Sequence, residues 1–142
     1  MRIVIAAVLY FLAMGGVHAE CTKRVVVSEK GDDGVTTGIV ISSAQFKQAP
    51  KWFPGEGDPP LSISRAIEIA DQWGQAAYRN FDSVQIDSVG LDQYGCPGDT
   101  KYWYYLVRFR TIKDGTPFFG GNFVAILFDG KLISPGRLAD AP

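Results

Sequence analysis

Lys101-Tyr102-Trp103-Tyr104-Tyr105-Leu106-Val107-Arg108-Phe109-Arg110-Thr111 is the stretch on which the fold turns. Its side chains repeat with a period of two. Trp103, Tyr105, Val107 and Phe109 form one apolar face, while Tyr102, Tyr104, Arg108 and Arg110 fall mainly on the other. That alternation, in β-branched and aromatic residues, specifies a strand. Downstream, Lys113-Asp114-Gly115 reads as a turn and Gly120 to Phe128 as the next strand. Asp129-Gly130 is a two-residue hairpin signal leading into Lys131 to Ile133, which Pro135 and Gly136 stop. Upstream, Val84 to Leu91 alternates too. Its phase shifts between Ile86 and Val89, so a bulge or bend is expected near Asp87-Ser88.

Before these strands the period changes. Ser62 can cap a helix, with Leu61 stapled onto Ala66. Ile63, Ala66, Ile67, Ala70, Trp73 and Ala77 recur at spacings of three and four and define an apolar stripe; the helix should end between Tyr78 and Asn80. Gly74 either weakens this helix or lets something approach it closely. The segment 49–60 holds four prolines and two glycines and cannot sustain a helix or a central strand. Trp52 and Phe53, inside it, should cover one end of the core or form an exposed patch. Further upstream, Arg24 to Ser28 and Val35 to Ile41, joined by the Asp- and Gly-rich turn from Glu29 to Gly34, read as a hairpin. The order is hairpin, loop, helix, then strands in sequence. It argues for an α+β fold: a single helix packed on a curved antiparallel sheet of about four to five strands, plus an N-terminal β-hairpin.

The chain opens with Met1-Arg2, runs apolar from Ile3 to Met14, and reaches small residues at Val17 and Ala19. This is the pattern of a signal peptide cleaved after Ala19, and the apolar run is short for a membrane span. The expectation is an exported protein, periplasmic or extracellular, with residues 20–142 forming one domain and no membrane attachment after cleavage. The net charge is -1, and cations and anions are interspersed without a basic stripe, which argues against a nucleic-acid partner. Aromatic residues make up 13% of the chain, well above a disordered composition. Cys21 and Cys96 are the only cysteines. In an oxidising compartment they should pair, and closing so long a loop contributes about 4 kcal/mol in the entropic model, less any strain.

Residues 58–135 resemble the PepSY-like, broadly cystatin-like, secreted domains of bacteria. The resemblance is carried by Leu61-Ser62 with Ala66 and Ala70, by Trp103 to Val107 with Phe109, and by Val124 to Leu127 leading into Asp129-Gly130, Leu132-Ile133 and Pro135. It implies a helix on an antiparallel sheet in an envelope or extracellular protein that restrains a peptidase or binds another protein. The inhibitory Gln-x-Val-x-Gly hairpin of cystatins is absent; in Gln85-Ile86-Asp87-Ser88-Val89-Gly90 the valine falls at the wrong spacing.

The only histidine, His18, sits in the leader, so the mature chain has no imidazole for nucleophilic catalysis or metal ligation. No glycine-rich phosphate cradle is present. The expectation is therefore no catalytic residues, no cofactor and no metal. Tyr and Arg are the residue types that anchor protein interfaces, so Tyr102, Tyr104, Arg108 and Arg110 are the candidate docking face for another envelope or secreted protein, with Trp52 and Phe53 as a second patch. Two alternatives stand beside this: a small-ligand or carboxylate-dependent site in the concavity between helix and sheet, and a structural homo-oligomer joined through an edge strand.

Overall fold

The computed structural model describes residues 22–31, 33–96, 100–118 and 120–139. The expected leader, residues 1–19, lies outside them, as does Cys21. The chain runs β1 (Lys23–Lys30), β2 (Thr36–Ser42), α1 (Ser43–Gln48), α2 (Ile63–Ala77), β3 (Ser83–Gln93), β4 (Trp103–Lys113), β5 (Thr116–Phe118), β6 (Phe123–Leu127), β7 (Leu132–Ile133) and β8 (Gly136–Arg137). The class is α+β. The arrangement differs from one helix on one sheet, because the described residues form two antiparallel sheets and two helices.

The first sheet has the order β1-β2-β8. The second has the order β3-β4-β6-β7, with β5 paired to β4. β4 is the centre of the molecule. Its even residues Tyr104 and Leu106 pack toward the first sheet and α1, together with Ile39, Ile41, Phe46 and Phe123. Its odd residues Tyr105, Val107 and Phe109 pack toward α2, with Ala66, Ala70, Val124 and Ile126. The second sheet is thus the middle of three layers, which is why all five residues of β6 are buried. A strand covered on both faces has no solvent side, so its sequence reads as a continuous apolar run.

Several expected features are present. Ser62 caps α2, its Oγ accepting the Arg65 N–H at 3.2 Å. The β3–β4 register shifts between Ile86 and Ser88, so Asp87 is the bulge that the phase of the sequence required. Asp114 and Gly115 both take positive φ, 51° and 73°, the backbone of a tight primed turn joining β4 to β5.

The apolar stripe of α2 is rotated from the expected one. Its buried residues are Ala66, Ala70 and Gly74, while Ile63 and Ile67 are 51% and 37% exposed. The cause is Phe109. A methyl group at Gly74 would lie 2.6 Å from Phe109 Cε1, so the helix turns its smallest residues to the sheet and lets the ring approach its backbone. Three elements stand beyond the sequence-based expectation, the first being β5, which pairs with β4 just after the Asp114-Gly115 turn. In α1, Ser42 Oγ accepts the Gln45 N–H at 3.2 Å and Gln45 Oε1 accepts the Ser42 N–H at 2.9 Å, a complete capping box. β8 returns the end of the chain to β2 through Thr37↔Arg137 and Gly38↔Gly136.

Candidate functional site

The tyrosine half of the expected docking face is interior, while Arg108 and Arg110 keep their side chains partly exposed. Tyr102 and Tyr104 are only 4% and 3% exposed because the N-terminal hairpin and α1 cover them. The Phe46 ring lies 5.9 Å from that of Tyr104 and 6.1 Å from that of Tyr102. Burial pushes the Tyr104 hydroxyl up to about 12; Asp92 adds to the rise and Arg24 opposes it. Arg108 pairs with Glu29 across the two sheets, and Glu29 also accepts the Gly121 N–H at 2.9 Å. Arg110 pairs with the bulged Asp87 at 2.5 Å. Tyr102, Tyr104 and Arg108 therefore join the two sheets to each other, while Arg110 holds β4 to the bulge of its neighbour β3.

The second patch divides. Trp52 is buried edge-on against Trp103 and Phe128, each ring 5.8 Å away, and its Nε1 donates to the Gly57 carbonyl at 3.1 Å. It closes one end of the helix-side core. Phe53 is 39% exposed, with the Lys101 ammonium 5.6 Å from its ring centre. Cys96 is buried and holds no free thiol; its expected partner, Cys21, lies outside the described residues.

A mainly apolar open site lies elsewhere, where the first turn of α2 meets the end of β3. Pro59 and Pro60 keep helix from forming before Ser62, the N-cap of α2. The Tyr105 hydroxyl donates to the Leu61 carbonyl at 2.8 Å and ties this junction to the sheet. Burial raises the Tyr105 pKa, which keeps that donor protonated. Between these parts runs a groove of about 380 Å³ lined by Asp58, Pro59, Ser62, Ile63, Leu91 and Tyr105. Its walls are mainly apolar, with the Asp58 carboxylate and Ser62 hydroxyl as their acidic and hydroxyl components. Ile67, one helical turn beyond Ile63, continues the exposed apolar surface. Such a groove can hold an apolar side chain. The sequence signal for it was the excess width of the α2 stripe, which carries more isoleucine than one sheet contact can cover.

A second cavity of about 380 Å³ lies at the other end of the sheets, lined in part by Asp33, Thr37, Phe81, Phe118 and Asn122. Its polar groups are engaged internally. Asp33 Oδ1 accepts the Val35 N–H at 2.9 Å, and the Asn122 amide donates to Thr111 Oγ1 and the Phe118 carbonyl at 3.3 Å each. Among the described residues no group of three His, Cys, Asp or Glu side chains is placed to hold a metal ion, and no helix is long and apolar enough to cross a membrane. Compared with protein-family models, curated proteins and solved structures, the chain matches none.

Proposed function

We propose that this is an exported, non-catalytic protein-binding domain, and that its partner seats an apolar side chain in the groove between α2 and β3. The observation that carries this reading is the groove itself. Its apolar walls run onto Ile63 and Ile67, which α2 leaves in water on the same side. The leader-like N-terminus and the single histidine within it support export and a role in binding. The resemblance of residues 58–135 to PepSY-like secreted domains points to the same class of role, the restraint of a peptidase or the docking of another envelope protein. We place the mature protein in the periplasm or outside the cell, with Cys21 and Cys96 paired. Unreduced, denatured protein should then show no reactive thiol, and finding two would reject the pairing.

The test of the binding role is affinity capture. C-terminally tagged full-length protein, expressed with its own leader, is incubated with envelope and secreted extract from its source, beside the Ile63→Asp variant. An acidic residue in the first turn of a helix is electrostatically favourable, so Ile63→Asp should change stability by no more than about 0.5 kcal/mol. The expected result is one saturable partner retained by the native protein and lost by the variant. Equal retention by both would reject the groove. A small apolar ligand is the second reading, favoured by a groove volume within the range of small-molecule sites. It predicts a partner-free monomer whose groove residues respond to apolar compounds.

A further inference from the structure

β3 ends the second sheet. Among the described strands it pairs only with β4, so its other edge carries no strand. Its two halves treat that edge differently. At the first half Asp87 bulges out of register and is held by Arg110. A bulge with a charged side chain is a usual way to blunt an edge. The second half, Ser88-Val89-Gly90-Leu91-Asp92-Gln93, contains no lysine, no proline and no bulge. Its register against β4 runs unbroken from Ser88↔Arg108 to Gln93↔Trp103. In such a ladder alternate residues turn their N–H and C=O away from the paired strand, so this half presents a row of backbone donors and acceptors outward. Gly90, at its centre, has nothing nearer to a Cβ position than Asp92 Oδ2 and the Leu106 carbonyl, each 3.8 Å away, and leaves the approach open.

The same half-strand supplies Leu91 to the groove, and Ile63 of α2 faces it there. A strand laid along β3 would direct every second side chain toward this apolar wall. The groove side of that end carries one carboxylate, Asp58, which among the described residues is in no salt bridge. Asp92, paired opposite Tyr104, turns to the other face of the sheet, where Arg24 also lies. Of the cations nearest in sequence to these elements, Arg65 is paired with Glu68 and Arg110 with Asp87.

We propose that β3, over Ser88–Gln93, receives an extended segment of a protein partner as an added strand, apolar at alternate positions and carrying Lys or Arg at the end that meets Asp58. Main-chain hydrogen bonds to the free edge provide affinity, and the groove selects the side chain beside Leu91. The proposal rests on the groove being the docking site, and it adds the conformation and charge of what docks.

The test uses the full chain, isotope-labelled, and a capped synthetic peptide alternating valine and threonine with two lysines at one end. A second peptide is identical except that alternate backbone amides are N-methylated. The unmodified peptide should bind and slow hydrogen exchange at alternate amides of Ser88–Gln93 by on the order of tenfold. N-methylation removes several main-chain hydrogen bonds and should weaken binding by at least about tenfold. Asp58→Asn should weaken it by roughly threefold, and added salt should remove that difference. Equal binding of the two peptides, with shifts confined to the Ile63 and Leu91 methyls, would overturn strand addition and leave the groove reading standing. Absence of any shift in β3 or the groove with either peptide would overturn both.

Discussion

The two faces of β4 support two different kinds of core. Toward the first sheet the filling is aromatic and partly polar: Phe46, Tyr94, Tyr102, Tyr104 and Phe123, closed at the rim by the Arg108–Glu29 pair. Toward α2 the large side chains Tyr105, Phe109 and Phe128 press against a helix whose buried residues are alanines and a glycine. The first arrangement interlocks rings from both sides and leaves little of itself in water. The second seats the helix across β3 and β4 and leaves open the margin where Ile63 meets Leu91 and Tyr105, which is the groove. One strand thus shows that tight packing over its centre on one face can expose apolar surface at the margin of the same face.

The strongest way to break the contrast is Tyr104→Ala. Were Tyr104 at a docking surface, the change would be mild. Buried between the sheets, it should cost about 3–5 kcal/mol, read from the denaturant midpoint. Next is the alkaline limb of stability, which both cores share. Burial raises Tyr104 and Tyr78, one on each side, to about 12 from 10.0. The unfolded chain loses these protons near pH 10 while the folded chain keeps them. Stability is therefore complete below pH 10 and falls between about pH 10 and 12, by up to roughly 3 kcal/mol for the fully buried Tyr104. Tyr104→Phe should flatten that part of the decline in urea titrations at stepped pH.

Gly74→Ala sharpens the helix-side half of the comparison. On an exposed helix it would stabilise by about 1 kcal/mol. Here the added methyl meets the Phe109 ring, and the thermal midpoint should instead fall, with a net loss of about 1–2 kcal/mol. The smallest effect is expected at the sheet-side rim. Arg108→Ala breaks a partly exposed pair and should cost about 1 kcal/mol or less, a difference that shrinks in high salt.

Much of this was legible in the residues. Ser62 fixed the start of α2, the broken alternation at Asp87 fixed the bulge, and Trp103 to Phe109 named the face that meets the helix. The face of Tyr102 and Tyr104 was misassigned because a tyrosine serves equally well inside a core and on a surface. What covers that face is a hairpin some 60 residues earlier, and no local pattern records it. α1 is only one and a half turns long, too short for periodicity, although Ser42 and Gln45 carried its capping signature. The width of the α2 stripe was legible and its orientation was not, because orientation is decided by where Phe109 finds room.

β8 consists of two residues, yet it determines when the molecule can be finished. It pairs with Thr37 and Gly38, and the Leu138 N–H donates to the Thr36 carbonyl at 2.9 Å. A side chain at Gly38 would meet Leu138 Cδ1 at 2.6 Å, so the C-terminal segment fits a notch in β2. A strand made early is completed by residues made about a hundred positions later. A chain emerging vectorially from a ribosome must therefore hold the edge of β2 open until β8 arrives, and the slowest step of its folding should be the closure of this hundred-residue loop.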